Sequence, residues 1–239
     1  SAASDVYKRQ LTTCHQSRTC DLRTLGHMTN PQTPQDIVDY RLAPLLGEDY
    51  SVFHELISDE LHIDVYCWAP TEQRQFWTLC TSGMNDYRMQ MPPGKEEFNR
   101  TELIMTLPDD WPLAEIGSQN GPEGDAISWP VTLLKSTARL PKDMDTWLSY
   151  GTSGQAGLDP SETYPGSEFS GFIIGSAFTV DADGDFLRTP VGDEAVHFFG
   201  IYPIYADELH TCLAGDDILG KLYELGVAEG AYPGRPSAV

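Results

Sequence analysis

The chain is poor in positive charge. Its 239 residues hold 15 Lys and Arg against 36 Asp and Glu, a formal charge of −21 at pH 7. Such a surface repels nucleic acid and anionic membrane and steers basic partners toward it, so neither nucleic acid nor membrane is expected as a partner. No apolar run approaches the roughly 20 residues that span a bilayer; the longest, Phe172 to Val180, is broken by Gly175 and Ser176. Cysteine is scarce and unpaired in pattern. Cys14, Cys20, Cys67, Cys80 and Cys212 show no C-x-x-C spacing, and their odd number fits a reducing, cytoplasmic location.

Catalytic and metal signatures are missing too. His54, His62, His197 and His210 never fall at metal-ligand spacing. Ser153-Gly154 and Ser170-Gly171 lack the G-x-S-x-G elbow, and no Gly-rich phosphate cradle with its Lys occurs. The run Asp181 to Asp185 sets carboxylates at alternate positions, but a calcium loop counted from Asp181 would need Gly and Glu where Phe186 and Gly192 stand. It reads as a solvated turn. No catalytic residue, metal or cofactor is expected, although a hydrolase assembled from distant residues leaves no such trace.

What is present is β-rich. Ile63, Val65 and Cys67 alternate with His62, Asp64, Tyr66 and Trp68, the period that sends successive side chains to opposite sheet faces. A turn around Pro70 leads to the β-prone run Gln75 to Thr81, so Leu61–Thr81 is expected as an antiparallel hairpin central in the sheet. Before it, Thr33-Pro34-Gln35-Asp36 is a helix start, with Val38, Leu42, Leu45 and Leu46 at helical spacing, a kink or stop at Pro44 and closure at Gly47. After it, Glu102–Leu107 reads as a strand and Ala114–Ser128 as a loop. Trp129-Pro130 is expected to open a helix that Pro141 stops.

A second loop, Thr152 to Glu168, precedes strands Phe169–Val180 and Val196–Tyr205, with a turn signal at Asp183-Gly184 between them. Helices are expected at Asp207–Ala214 and Asp216–Leu225. The pattern is α+β, a mixed, largely antiparallel sheet with flanking helices. Residues 1–27 offer no apolar face and read as a non-native or disordered leader before Met28, and the tail 227–239 reads as loose.

Several blocks, in this order and spacing, resemble the bacterial suppressor of fused domain family. They are His62-Ile63-Asp64-Val65-Tyr66, Thr78 to Met84, Glu102-Leu103-Ile104-Met105, Leu107-Pro108-Asp109-Asp110-Trp111-Pro112, Trp129-Pro130-Val131, Asp145-Thr146-Trp147, and Phe198 to Tyr205 with Asp207-Glu208-Leu209. The resemblance covers roughly residues 35 to 225 and places a suppressor of fused-like domain at 28–226. It implies a non-enzymatic binding protein. The animal relative clamps a short peptide as an added strand, while bacterial members look like immunity proteins that neutralise a cognate toxin of a polymorphic toxin system. A basic toxin or peptide is therefore the expected partner, with a peptide-binding regulator as the alternative. One departure stands out: Ser149-Tyr150-Gly151-Thr152 replaces the family's Gly-Tyr-Gly-His, so no role for that histidine carries over. The residues expected at the partner surface are Trp147 and Tyr150, aromatic and beside a long loop, and the acids Glu115, Glu123 and Asp125.

Overall fold

The computed structural model describes residues 33–55, 61–181 and 187–239. The leader, and with it Cys14 and Cys20, lies outside these residues, as does the Asp183-Gly184 turn.

Eight strands form one sheet. They are β1 (Ser51–Phe53), β2 (Asp64–Trp68), β3 (Phe76–Ser82), β4 (Thr101–Pro108), β5 (Ser153–Gln155), β6 (Phe169–Gly175), β7 (Arg188–Val191) and β8 (Glu194–Tyr205). The order is β1-β2-β3-β4-β8-β6-β5, with β7 also on β8. Every pairing is antiparallel except β4 with β8, which run parallel from Thr101 opposite His197 to Ile104 opposite Gly200. The expected hairpin is β2–β3, Val65 facing Thr81. It lies toward one end of the sheet, since β4 and β8 hold the middle.

The sheet is sandwiched. The alternation in β2 sends Val65 and Cys67 to a core shared with Leu103, Met105, Phe199 and Ile201. It sends Tyr66 and Trp68 to a second core with Ile104 and Phe198. Helix α2 (Pro122–Asp143) covers the first face with Trp129, Leu134 and Ala138. Helix α1 (Pro34–Leu46) covers the second with Ile37, Val38 and Leu42. Farther along that face, α3 (Ala206–Leu213) and α4 (Ile218–Glu224) pack Leu209, Leu219 and Leu222 on Ile173, Tyr202 and Ile204. Strands with cores on both sides read as near-continuous apolar runs, as Leu103 to Met105 and Val196 to Ile204 do.

Helix α1 starts as expected. Thr33 Oγ1 accepts from the Asp36 N–H at 3.1 Å and the Asp36 carboxylate accepts from the Thr33 N–H at 2.9 Å. Pro44 sits inside it without ending it, and Gly47 closes it.

Three further expectations need correction. First, α2 opens at Pro122 and runs through both Pro130 and Pro141, so Glu123 and Asp125 stand in its first turn rather than in a loop. Pro130 removes the N–H that would bond the Ala126 carbonyl and crowds the preceding turn; in that turn the Ile127 carbonyl accepts from the Trp111 indole at 3.0 Å. Second, an additional strand, β7, pairs with the start of β8 through a turn at Gly192-Asp193.

Third, the tail is docked. Ala231 and Glu229 are fully buried, and Gly230 bridges Thr106 where β4 has left β8. Farther on, the Arg235 guanidinium grips both oxygens of the buried Glu208 carboxylate at 2.7 and 2.6 Å. It also lies 4.6 Å from the Tyr205 ring centre. The tail's Gly and Pro content reads as coil, which it is, but coil held by specific bonds.

Candidate functional site

An eight-stranded sheet has two ends, and they are built differently. At one end stands β1. The carbonyl of its last residue, Phe53, accepts from Lys135 Nζ at 3.0 Å, so α2 reaches over this edge. One turn on, Arg139 donates to the Leu61 carbonyl at 3.1 Å and pairs with Glu55, whose other oxygen accepts from the Ile63 N–H at 2.9 Å. Burial lowers the Lys135 pKa, partly opposed by Glu55 and Asp64. Asp64 in turn sits between two imidazoles, His54 and His62, each at 2.9 Å. This cluster was invisible in linear spacing, although Lys135 and Arg139 are one helical turn apart.

At the other end stands β5, which pairs only with β6, Gly154 opposite Phe172. The flanking bonds, Ile174 N–H to the Thr152 carbonyl and Ala156 N–H to the Ser170 carbonyl, fix the alternation. The Thr152 carbonyl, the Gly154 peptide groups and the Ala156 N–H therefore turn toward β6, and Ser153 and Gln155 turn their peptide groups to the open edge; the Thr152 N–H donates to the Ser149 carbonyl at 2.9 Å. Gly154 is required here: a Cβ would come within 2.5 Å of the Phe172 ring. The strand is short and polar, as exposed edges commonly are.

The loop entering β5 carries both aromatic residues expected at a partner surface. Leu148 is buried and anchors it, and its N–H lies 3.3 Å from Met89 Sδ. Trp147 is half-buried, with Lys95 Nζ 5.1 Å from its ring centre. Tyr150 is 39% exposed; burial and a hydrogen bond with Tyr223 both raise its pKa. Thr152, standing in place of the family's histidine, accepts from the Ser149 N–H at 3.1 Å and so shapes the turn. Beyond β5, Leu158 is 97% exposed, and the Gln155 amide donates to the Gly157 and Leu158 carbonyls at 2.9 and 3.2 Å. Leu158 was missed by sequence reading because nothing distinguishes it from any loop leucine.

The expected acids are elsewhere. Glu115 lies exposed in the turn Leu113–Glu115, bonded by Gln119, while Glu123 and Asp125 begin α2. Trp147 comes after the C-terminal end of that 22-residue helix, whose axis is about 33 Å long. The two aromatic residues have different neighbours, Trp147 packing on the first core beside Lys95 and Tyr150 bonding Tyr223 of α4, while the loop after β5 returns to the first turns of α2, where Gly166 lies against Ala126.

Among the described residues no cluster of three or more His, Cys, Asp or Glu is arranged to hold a metal, and no helix is long and apolar enough to cross a membrane. A pocket of about 560 Å³ at the end of α1 is lined by Leu46, Arg74, Phe76 and Thr179. Its one charge is already engaged: the Arg74 guanidinium donates to the Leu46 and Ala69 carbonyls at 3.3 and 2.7 Å.

Comparison with known proteins bears on this architecture. No curated protein sequence matches the chain. Among solved structures, a suppressor of fused homologue from Neisseria gonorrhoeae superposes with a TM-score of 0.57 at 18% identity, over 89% of this chain and 98% of that one. The Sufu–Fu complex gives 0.58 at 16% identity, over 88% and 93%. Drosophila Suppressor of Fused gives 0.57 at 15%, over 92% of this chain and 54% of its own longer one. These likenesses give the fold. The family model for suppressor of fused protein (SUFU) matches residues 59–216, from just before the β2–β3 hairpin to just past α3 and so most of the chain: it belongs to the suppressor of fused family.

Proposed function

We propose that this protein is a non-enzymatic binding module that holds and neutralises a basic cognate toxin in the cytoplasm. The observation that carries this reading is the open β5 edge. Ser153 and Gln155 present peptide groups to an added strand, and Trp147, Tyr150 and Leu158 offer apolar contact alongside it. In strand addition, main-chain bonds supply affinity and side-chain pockets supply selection. The family fits the reading, since a solved relative is itself described as a Sufu–Fu complex.

The chemistry of the partner follows from charge. A chain of net −21 attracts a positive protein from a distance, and a toxin that cleaves nucleic acid must carry a basic groove for its phosphate backbone. The acidic surface speeds encounter, while aromatic contact at the edge governs residence time. A peptide-binding regulator would use the same edge, and what separates the two is the partner.

Co-expression with the product of the neighbouring gene is the test. The proposal expects a stoichiometric complex by light scattering, rescue of growth from that product, and association that slows as salt rises. Failure to bind and to rescue would reject the toxin reading.

A further inference from the structure

The tail binds its own domain through two charged side chains that are housed in opposite ways. Arg235 is paired: the Glu208 carboxylate takes its two terminal nitrogens, and the Tyr205 and Phe169 rings cover it. Glu229 is buried without a cation. One of its oxygens accepts from the Thr179 N–H at 3.1 Å and from the Thr179 hydroxyl, and the other has no hydrogen-bond partner among the described residues. Glu102, equally buried, shows what a settled carboxylate looks like. Its two oxygens accept from the Thr81 hydroxyl, the Gly83 and Asn85 N–H groups and the Asn85 amide.

The neighbours of Glu229 leave no room for compensation. Gly200 of β8 approaches so closely that a Cβ there would lie 2.7 Å from the Glu229 Cβ. The titratable groups facing it are phenols: Tyr202 from β8 and Tyr232 from the tail, with Tyr223 of α4 behind Tyr202. The other groups against it are Thr106 of β4, Phe178 and Thr179. No Lys, Arg or His pairs with it among the described residues. An ionised carboxylate in such a seat keeps its desolvation penalty, while a neutral one largely escapes it.

We propose that the segment Val227–Gly234 is a proton-sensitive strap, seated against β4 when the Glu229 carboxyl is neutral and loosened when it is charged. What the strap covers is Thr106. Its N–H donates to the Glu229 carbonyl at 3.3 Å and its carbonyl accepts from the Ala231 N–H at 2.9 Å, so release frees a strand position in the middle of the sheet. Burial, opposed by bonds from Thr179 and from the backbone of Glu229 and Phe178, raises the Glu229 pKa from 4.5 to about 7. The released strap loses its proton near 4.5 and the seated one near 7. Docking is therefore strongest below the first value, weakens through the interval and is weakest above neutrality.

Amide hydrogen exchange on the full chain, corrected for intrinsic rates, tests this at pH 5.5 and 8.5. Protection at Ala231 and Thr106 should fall on the order of tenfold to a hundredfold at the higher pH, a span set by the shift from 4.5 to about 7. Ala238, whose N–H donates to Glu208 at the Arg235 anchor, should change far less. In Glu229→Gln, which cannot ionise, the change at Ala231 should vanish. Equal loss in Glu229→Gln and wild type, or no loss in wild type, would overturn the proposal. Carboxyl carbon NMR of the unmodified protein gives an independent arm, because a Glu229 midpoint in the ordinary carboxylate range would reject it whether or not the variant folds.

Discussion

The two ends of this sheet, β1 and β5, are edge strands of three residues each, and only one is closed by charge. At β1 the helix on the adjacent face sends Lys135 and Arg139 over the rim to take the Phe53 and Leu61 carbonyls, and Glu55 completes the lock. At β5, Gly154 lies against the Phe172 ring, and among the described residues no charged side chain bonds the outward peptide groups of Ser153 and Gln155. A row of unpaired peptide groups invites another chain. A protein that closes the β1 end with buried ions and leaves the β5 end short and open directs that invitation to β5 rather than to β1.

The largest expected effect comes from breaking the closed end. Arg139→Met leaves the Glu55 carboxylate, whose side chain is 2% exposed, without its cation. Removing one partner of a buried pair costs about 3–5 kcal/mol, and urea denaturation should register it. Gln155→Ala at the open end should stay within about 0.5 kcal/mol, because that exposed side chain meets only its own loop. Similar losses at both ends would erase the contrast.

Next comes binding. Trp147→Ala should raise the dissociation rate of the toxin complex by about tenfold or more, the scale of an interface anchor, with little change in association. Stopped-flow kinetics separates the two.

A smaller effect lies in pH. Burial lowers the Lys135 pKa below 10.5, so in the interval between the two values the unfolded chain holds a proton that the folded one lacks. Stability should gain with rising pH across that interval, and Lys135→Met should lose this component. Denaturation of both proteins between neutral and alkaline pH reads the difference.

Smallest of all are the acids Glu115, Glu123 and Asp125. Glu115 precedes α2 and Glu123 and Asp125 stand in its first turn, outside β5, so they act on a β5-bound partner through long-range charge. Reversing them should slow association by less than about tenfold at low salt and hardly at all at physiological salt, where the Debye length is about 8 Å.

These differences track what the sequence could reveal. The hairpin was legible because Val65 and Cys67 alternate with Tyr66 and Trp68, and α1 because Thr33 and Asp36 form a reciprocal cap. Local chemistry decides such features. Helix α2 was misjudged at its start because Pro130 and Pro141 look like boundaries, whereas packing of Trp129, Leu134 and Ala138 on the sheet outweighs the lost bonds. The tail was misjudged because Arg235 and Glu208 meet only in the fold. The candidate site divided in the same way: Trp147 and Tyr150 share a loop, so their proximity was local information. The placing of Glu123 and Asp125 depends on a helix whose start was read seven residues late, at Trp129 rather than Pro122.

The central claim is that β5 receives the partner strand. Amide exchange of the free protein and of its complex with the toxin addresses it directly, through the outward N–H groups of Ser153 and Gln155 and the β1 amides of Ser51 to Phe53. The account predicts new protection at Ser153 and Gln155 on binding and none in β1. Protection gained in β1 with β5 unchanged would contradict it.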